Sequence, residues 1–254
     1  MKEYLTYMNT PIPQIIEAWD DEGLRRIPIC ESGEELVPLG LNPDRMIVSP
    51  QYYIQKIDGA LAESYARRTV CKMLAAAAKS LPEGYRLVIY DCWRPLKLQQ
   101  AMFDNRAMDI RADHPSMPEG EIFKRTRKYV APPSRDAGRP TPHNTGGAVD
   151  LTIADENGLA LDMGCGFDDP TGKACTVYYE KLLNSGEKLS PADVQAAKNR
   201  RLLYHVMRNA GFTNYIDEWW HYDYGDQNWA WCTGSAEAVY GKTTPSFPWY
   251  KDIE

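Results

Sequence analysis

The chain lacks the marks of a secreted, membrane-bound or nucleic-acid-binding protein. No Cys-x-x-Cys pair occurs among its six cysteines, Cys30, Cys71, Cys92, Cys165, Cys175 and Cys232, so neither a thiolate zinc site nor a dithiol redox motif is indicated. Met1-Lys2-Glu3-Tyr4-Leu5-Thr6-Tyr7 shows no basic stretch followed by an apolar run, and no later segment is long and apolar enough to span a bilayer. A cytoplasmic chain with thiols rather than disulfides is therefore expected, since a reducing compartment keeps cysteines apart. Basic charge is not in excess either. The formal net charge is −6, whereas nucleic acid and anionic membranes call for clustered Lys and Arg. The partner expected is small, with no nucleic acid and no membrane, and nothing in the sequence sets an oligomeric state. Internal repeats and low-complexity tracts are absent too.

What is present is ordinary globular composition: 254 residues, 43% hydrophobic and 25% charged. Residues 1–55 carry scattered prolines with short apolar runs between them, which predicts an irregular wrapping segment ahead of one domain over 56–254. Leu61, Tyr65, Val70, Met73, Leu74 and Ala77 recur at helical period and predict a helix from Gly59 to Leu81, stopped by Pro82-Glu83-Gly84. Tyr85–Tyr90 reads as a strand leading into Asp91-Cys92-Trp93-Arg94-Pro95, which sets Arg94 at a strand end. A helix near Pro118–Val130, a loop through Pro132–Pro140 and a strand at Ala148–Ile153 follow. The last helix, Pro191–Ala210, has Ser190 as N-cap, Asp193 completing the capping pattern and Gly211 as its stop; Lys198, Arg200 and Arg201 are expected on its polar face. Helices around short, non-alternating strands predict an α+β domain with a mainly antiparallel sheet.

Two segments carry chemistry. In Thr141-Pro142-His143-Asn144-Thr145-Gly146-Gly147-Ala148-Val149-Asp150, a histidine and a carboxylate flank paired glycines. In a straight strand, residues seven apart point to opposite faces, so a shared metal requires a bend that Asn144–Gly147 can supply. Asp217-Glu218-Trp219-Trp220-His221-Tyr222 places a carboxylate three residues before another histidine, with Trp219 and Trp220 expected as core or pocket wall. His143, Asp150 and His221 together make three ligands with a fourth place left for water, the pattern of a catalytic zinc site, and leave Glu218 as base. Taken singly, each of these residues is more often structural. His114 and His205 match no such segment and are expected to be structural.

The two segments resemble the Ser-x-His-x-x-Gly-x-Ala-x-Asp and Glu-x-x-His patterns of the D-alanyl-D-alanine dipeptidases of the vancomycin-resistance type, zinc DD-peptidases related in fold to hedgehog domains. Asp91-Cys92-Trp93-Arg94-Pro95 looks like that family's Asp-Gly-Tyr-Arg-Pro segment. Asp162-Met163-Gly164-Cys165-Gly166-Phe167-Asp168 looks like its Met-Gly-x-x-Phe-Asp segment. All four stand in the family's order over roughly residues 60 to 225. The resemblance implies one zinc per chain on His143, Asp150 and His221, Glu218 as catalytic base, Arg94 as transition-state stabiliser, and Asp168 as anchor for the substrate ammonium. Thr141 stands where serine is usual and keeps the hydroxyl for a substrate hydrogen bond. Cys92-Trp93 in place of Gly-Tyr is a larger departure and bears on which side chains are accepted. The reaction implied is hydrolysis of D-alanyl-D-alanine or a closely similar D,D-dipeptide. The alternatives are a carboxypeptidase or endopeptidase on longer wall peptides, and a metal-holding binding protein without catalysis.

Overall fold

A computed structural model describes residues 3–14 and 20–247; residues 1, 2 and 15–19 of the expected wrapping segment lie outside them. The strands are β1 (Leu36–Pro38), β2 (Met46–Val48), β3 (Tyr65–Arg67), β4 (Arg86–Asp91), β5 (Ala148–Ala154), β6 (Thr213–Asn214) and β7 (His221–Asp223). Five of them form one sheet in the order β2-β4-β5-β7-β6, antiparallel except for the β2–β4 pair. β1 and β3 make a separate antiparallel ribbon. The class is α+β in a single domain. β5 is buried at every position, its apolar Val149, Leu151 and Ile153 alternating with polar Asp150 and Thr152, so both faces of this central strand are covered.

One face of the sheet, carrying Leu87, Ile89, Val149, Leu151 and Ile153, belongs to the main hydrophobic core with Val70 and Leu74 of the helix Arg68–Lys79 and Leu202, Leu203 and Val206 of the helix Pro191–Asn209. The latter is capped by Ser190, whose hydroxyl accepts from the Asp193 amide. Val88, Asp150 and Thr152 alternate onto the other face.

Three expectations are corrected. The helix expected over Gly59–Leu81 begins only at Arg68, because Tyr65-Ala66-Arg67 pairs with Leu36-Val37-Pro38 as β3; tertiary pairing overrides a helical apolar period there. The helix expected near Pro118–Val130 is shorter, Glu119–Thr126. Arg200 leaves the polar face entirely. It is 2% exposed, and its guanidinium donates to the carbonyls of Met163, Lys173 and Cys175. Those three bonds fasten the loop that carries Asp168 to the last long helix.

Within the first 55 residues, β2 extends the main sheet and the helix Gln51–Ile54 places Tyr52 in the interior, 4% exposed. The helix Leu96–Asp113, not outlined by the sequence pattern, follows Pro95 and buries Leu98, Gln99, Phe103, Ala107 and Ile110. No disulfide links the cysteines. Among the described residues, no helix is long and apolar enough to cross a membrane.

Candidate active site

Three backbone devices bring the chemistry together. The bend between His143 and Asp150 is a single helical turn, Pro142–Thr145, ended by Gly146 in the left-handed region at φ 72. Gly147 then passes so close to β7 that a Cβ there would lie 2.3 Å from the Tyr224 carbonyl oxygen. Only glycine fits both requirements. Next, β5 and β7 pair with Asp150 directly opposite His221, so the two side chains share a face as cross-strand neighbours. Finally, the β4–β5 register shifts between Ile89 and Asp91, which turns Asp91 out of the core-facing row and sets it opposite Asp150.

The result is a buried cluster of His143, Asp150 and His221 whose ligand atoms lie within 4.8 Å of one another. His143 Nε2 stands 3.3 Å from Asp150 Oδ2, and His221 Nδ1 stands 2.9 Å from Asp150 Oδ1. The far nitrogen of each ring is engaged elsewhere. His143 Nδ1 donates to the Cys92 carbonyl at 2.7 Å, and His221 Nε2 faces Asp223 Oδ1 at 2.9 Å. A carbonyl only accepts, so His143 Nδ1 carries a proton and Nε2 is the nitrogen turned toward Asp150. One carboxylate and two ring nitrogens thus converge, which fits a divalent metal of nitrogen and oxygen preference such as zinc.

Arg94 approaches from the other side of Asp150. Its Nε donates to Asp91 at 2.8 Å, its Nη1 to Gln99 at 2.9 Å, and its Nη2 stands 3.5 Å from Asp150 Oδ2. Burial alone would weaken its hold on a proton. The charge of Asp91 outweighs this, with help from Tyr52 and Asp150, and keeps the guanidinium charged. Burial likewise works against an ionised Asp150, but His143 and then His221 hold its carboxyl well below the usual range.

Glu218 Oε2 lies 3.8 Å from His221 Nδ1, and 32% of its side chain reaches solvent. Burial, with the charges of Asp150 and Asp168 added and those of His221 and Arg94 opposed, pushes its carboxyl up to about 7. Asp168 sits at the rim with φ 59, a left-handed conformation that aspartate tolerates. Crowding there and the Asp150 charge push its carboxyl up to about 7, and because the residue is more than a third exposed, solvent screens part of that push.

Of the residues expected from sequence, the structure brings His143, Asp150, His221, Glu218 and Arg94 into direct proximity. Asp168 joins through Tyr52, whose hydroxyl donates to Asp168 Oδ1 at 3.3 Å while its ring lies 5.1 Å from the Arg94 guanidinium carbon. Thr141 is 7% exposed at the N-cap of the His143 turn, and its hydroxyl has no hydrogen-bond partner among the described residues. His205 bonds the Thr10 carbonyl and His114 contacts Arg125, both structural roles. Sequence reasoning missed Tyr52, Gln99, Asp91 and Asp223. Asp91 and Asp223 carried a signal, since one lies three residues before Arg94 and the other two residues after His221 in a strand. Tyr52 and Gln99 carried none.

A family model described as D-ala-D-ala dipeptidase matches residues 60–236. D-alanyl-D-alanine dipeptidases of Synechocystis sp., Escherichia coli and Enterococcus faecium are 30%, 31% and 29% identical to this chain. The alignments take in 81%, 74% and 69% of it, and 87%, 84% and 77% of the respective relatives. Since the matched span takes in β4, β5, β7 and the glycine turn that together set this geometry, the chain belongs to the D-ala-D-ala dipeptidase family of peptidases.

Proposed function

We propose that the chain hydrolyses D-alanyl-D-alanine, or a closely similar D,D-dipeptide, with one zinc ion held by His143, Asp150 and His221. The observation that carries this reading is the convergence of three ligand atoms within 4.8 Å, with Glu218 and Arg94 on either side. Zinc bound there supplies positive charge that makes water acidic, lowering its pKa from about 15.7 toward about 7. Glu218 takes the proton from the attacking water and delivers it to the leaving amine as the peptide C–N bond breaks. Arg94, fixed by Asp91 and Gln99, presents a charge that cannot be lost to the oxyanion forming on the peptide carbonyl. Asp168, steadied by the Tyr52 hydroxyl, binds the substrate ammonium, and the Thr141 hydroxyl donates to its carboxylate.

The dipeptidase domain is taken as residues 56–254, with 1–55 wrapping it and lending Tyr52. A cytoplasmic location is supported by the lack of any disulfide among six cysteines, and the products suit turnover of peptidoglycan-derived dipeptide. Two measurements test the reading. Metal analysis should find one zinc per chain, and N-acetyl-D-alanyl-D-alanine should resist cleavage; equal rates for the blocked and free dipeptide would remove the role of Asp168.

A second reading, cleavage of longer D-peptides, starts from a cavity of about 390 Å³ that meets the proposed site at Thr141, while its other walls, among them Leu24, Arg135 and Asn228, lie outside it. A D,D-tripeptide cut faster than the dipeptide would favour it.

A further inference from the structure

We propose that Asp223 is a positioning residue for His221. Its carboxylate fixes the ring so that Nδ1 faces Asp150 and His143, and Asp223 is itself held from behind by Asn228. This inference rests on the metal reading above and adds to it a residue outside the ligand set.

The placement follows from the strand. Residues two apart in β7 share a face, so Asp223 emerges beside His221 but one step further from Asp150. Its Oδ1 lies 2.9 Å from His221 Nε2, the nitrogen on the far side of the ring from Asp150 Oδ1. Asp223 is therefore placed to hold a ligand and not to be one. Its Oδ2 accepts from Asn228 Nδ2 at 3.2 Å. Asn228 stands in the first turn of the helix Gln227–Thr233, which Asp226 caps by accepting from the Trp229 amide at 2.9 Å. Asp223 and Asp226 are each 1% exposed. A buried carboxylate is retained against its desolvation cost only where donors meet its oxygens, and the donor met by Oδ1 is the imidazole.

The consequence concerns the orientation of the ring. With Nε2 held by Asp223, Nδ1 is the nitrogen turned toward Asp150 and His143, and the site is preorganised for metal. Without that partner the ring is free to rotate about its side-chain bonds and lose the setting. The helix Gln227–Thr233 thereby becomes part of the support of the metal site through Asn228.

The test is zinc affinity of the full chain, stripped of metal and titrated in competition with a chromophoric chelator. Asp223→Ala should bind zinc about 10- to 100-fold more weakly. When saturated with zinc it should show a lowered kcat with little change in KM. Asn228→Ala, at a half-buried position, should weaken zinc a few-fold in the same direction and serves as the deciding variant if Asp223→Ala does not fold. Parent-like zinc affinity in the folded Asp223→Ala protein, or in Asn228→Ala where it decides, overturns the proposal. A parent chain that binds no zinc overturns the metal reading, and this inference with it.

Discussion

At the scale of single residues, the account turns on Glu218. Its carboxyl is pushed up to about 7 by burial and by neighbouring negative charge, and it acts as base only when ionised. The sign follows directly: as pH falls through that value, the base form and the rate decline together, about tenfold per pH unit well below it. A bound cation favours the carboxylate, so the acid limb of kcat/KM should have its midpoint somewhat under 7, and Glu218→Gln should abolish that limb. The same substitution should lower kcat by about 10²- to 10⁴-fold while leaving one zinc per chain by metal analysis; loss of the zinc would instead make Glu218 a ligand. Arg94→Lys keeps a charge but cannot hold Asp91 and Gln99 together while facing Asp150. A fall in kcat of roughly 10²-fold is expected, comparable to loss of an oxyanion donor. The proximity of His143, Asp150, His221, Glu218 and Arg94 was foreseeable because each lies in a segment that resembles a motif of the family. Tyr52 was not, since an interior tyrosine in a proline-rich segment looks like any core aromatic until its hydroxyl is seen on Asp168.

At the scale of elements, the decisive feature is the join between the His143 turn and β5. Gly147→Ala sets a methyl group against the Tyr224 backbone carbonyl, and backbone cannot move aside as a side-chain tip can. Destabilisation of about 1–3 kcal/mol is expected from such overpacking, read as a lower urea midpoint with an unchanged slope. Zinc affinity should fall as well, because His143 and Asp150 lie on either side of the join. The sequence made this bend foreseeable through its paired glycines. It did not show the bulge that turns Asp91 onto the site face, because register is a property of two strands and only one of them is local. For the same reason the helix expected from Gly59 starts instead at Arg68: the apolar spacing of Leu61 and Tyr65 fits a helix, but Tyr65–Arg67 finds a partner strand some thirty residues upstream. Arg200 shows the converse error, where a charged residue assigned to water is instead surrounded by loop carbonyls.

At the scale of the whole molecule, segments outside the matched family span brace the site. Arg67, 1% exposed, pairs with Glu31 and donates to the carbonyls of Thr145, Glu34 and Gly241. It ties the amino-terminal segment and the carboxy-terminal strap to the turn that carries His143. The strap continues over the site, where the Thr243 carbonyl accepts from Trp93 Nε1 and the Thr243 amide donates to Asn144. Arg67→Ala removes the donor to three backbone carbonyls, while Glu31, 38% exposed, keeps the Gly33 and Gly241 amides; a cost of about 1–3 kcal/mol is expected, visible as a fall in thermal midpoint. Zinc bound at about a thousandfold over its dissociation constant adds about 4 kcal/mol, so chelation should lower the midpoint by on the order of 10 °C in a chain of this size. None of this bracing was legible in the sequence beyond the proline-rich wrapping character, since it depends on which distant carbonyls one buried arginine meets. The most direct measurement is release of free D-alanine from D-alanyl-D-alanine by the zinc-loaded protein, beside a chelator-treated sample and the L,L dipeptide. Cleavage of the D,D form alone, lost on chelation and restored by zinc, is the predicted result; a protein holding one zinc yet leaving the D,D dipeptide intact would contradict it.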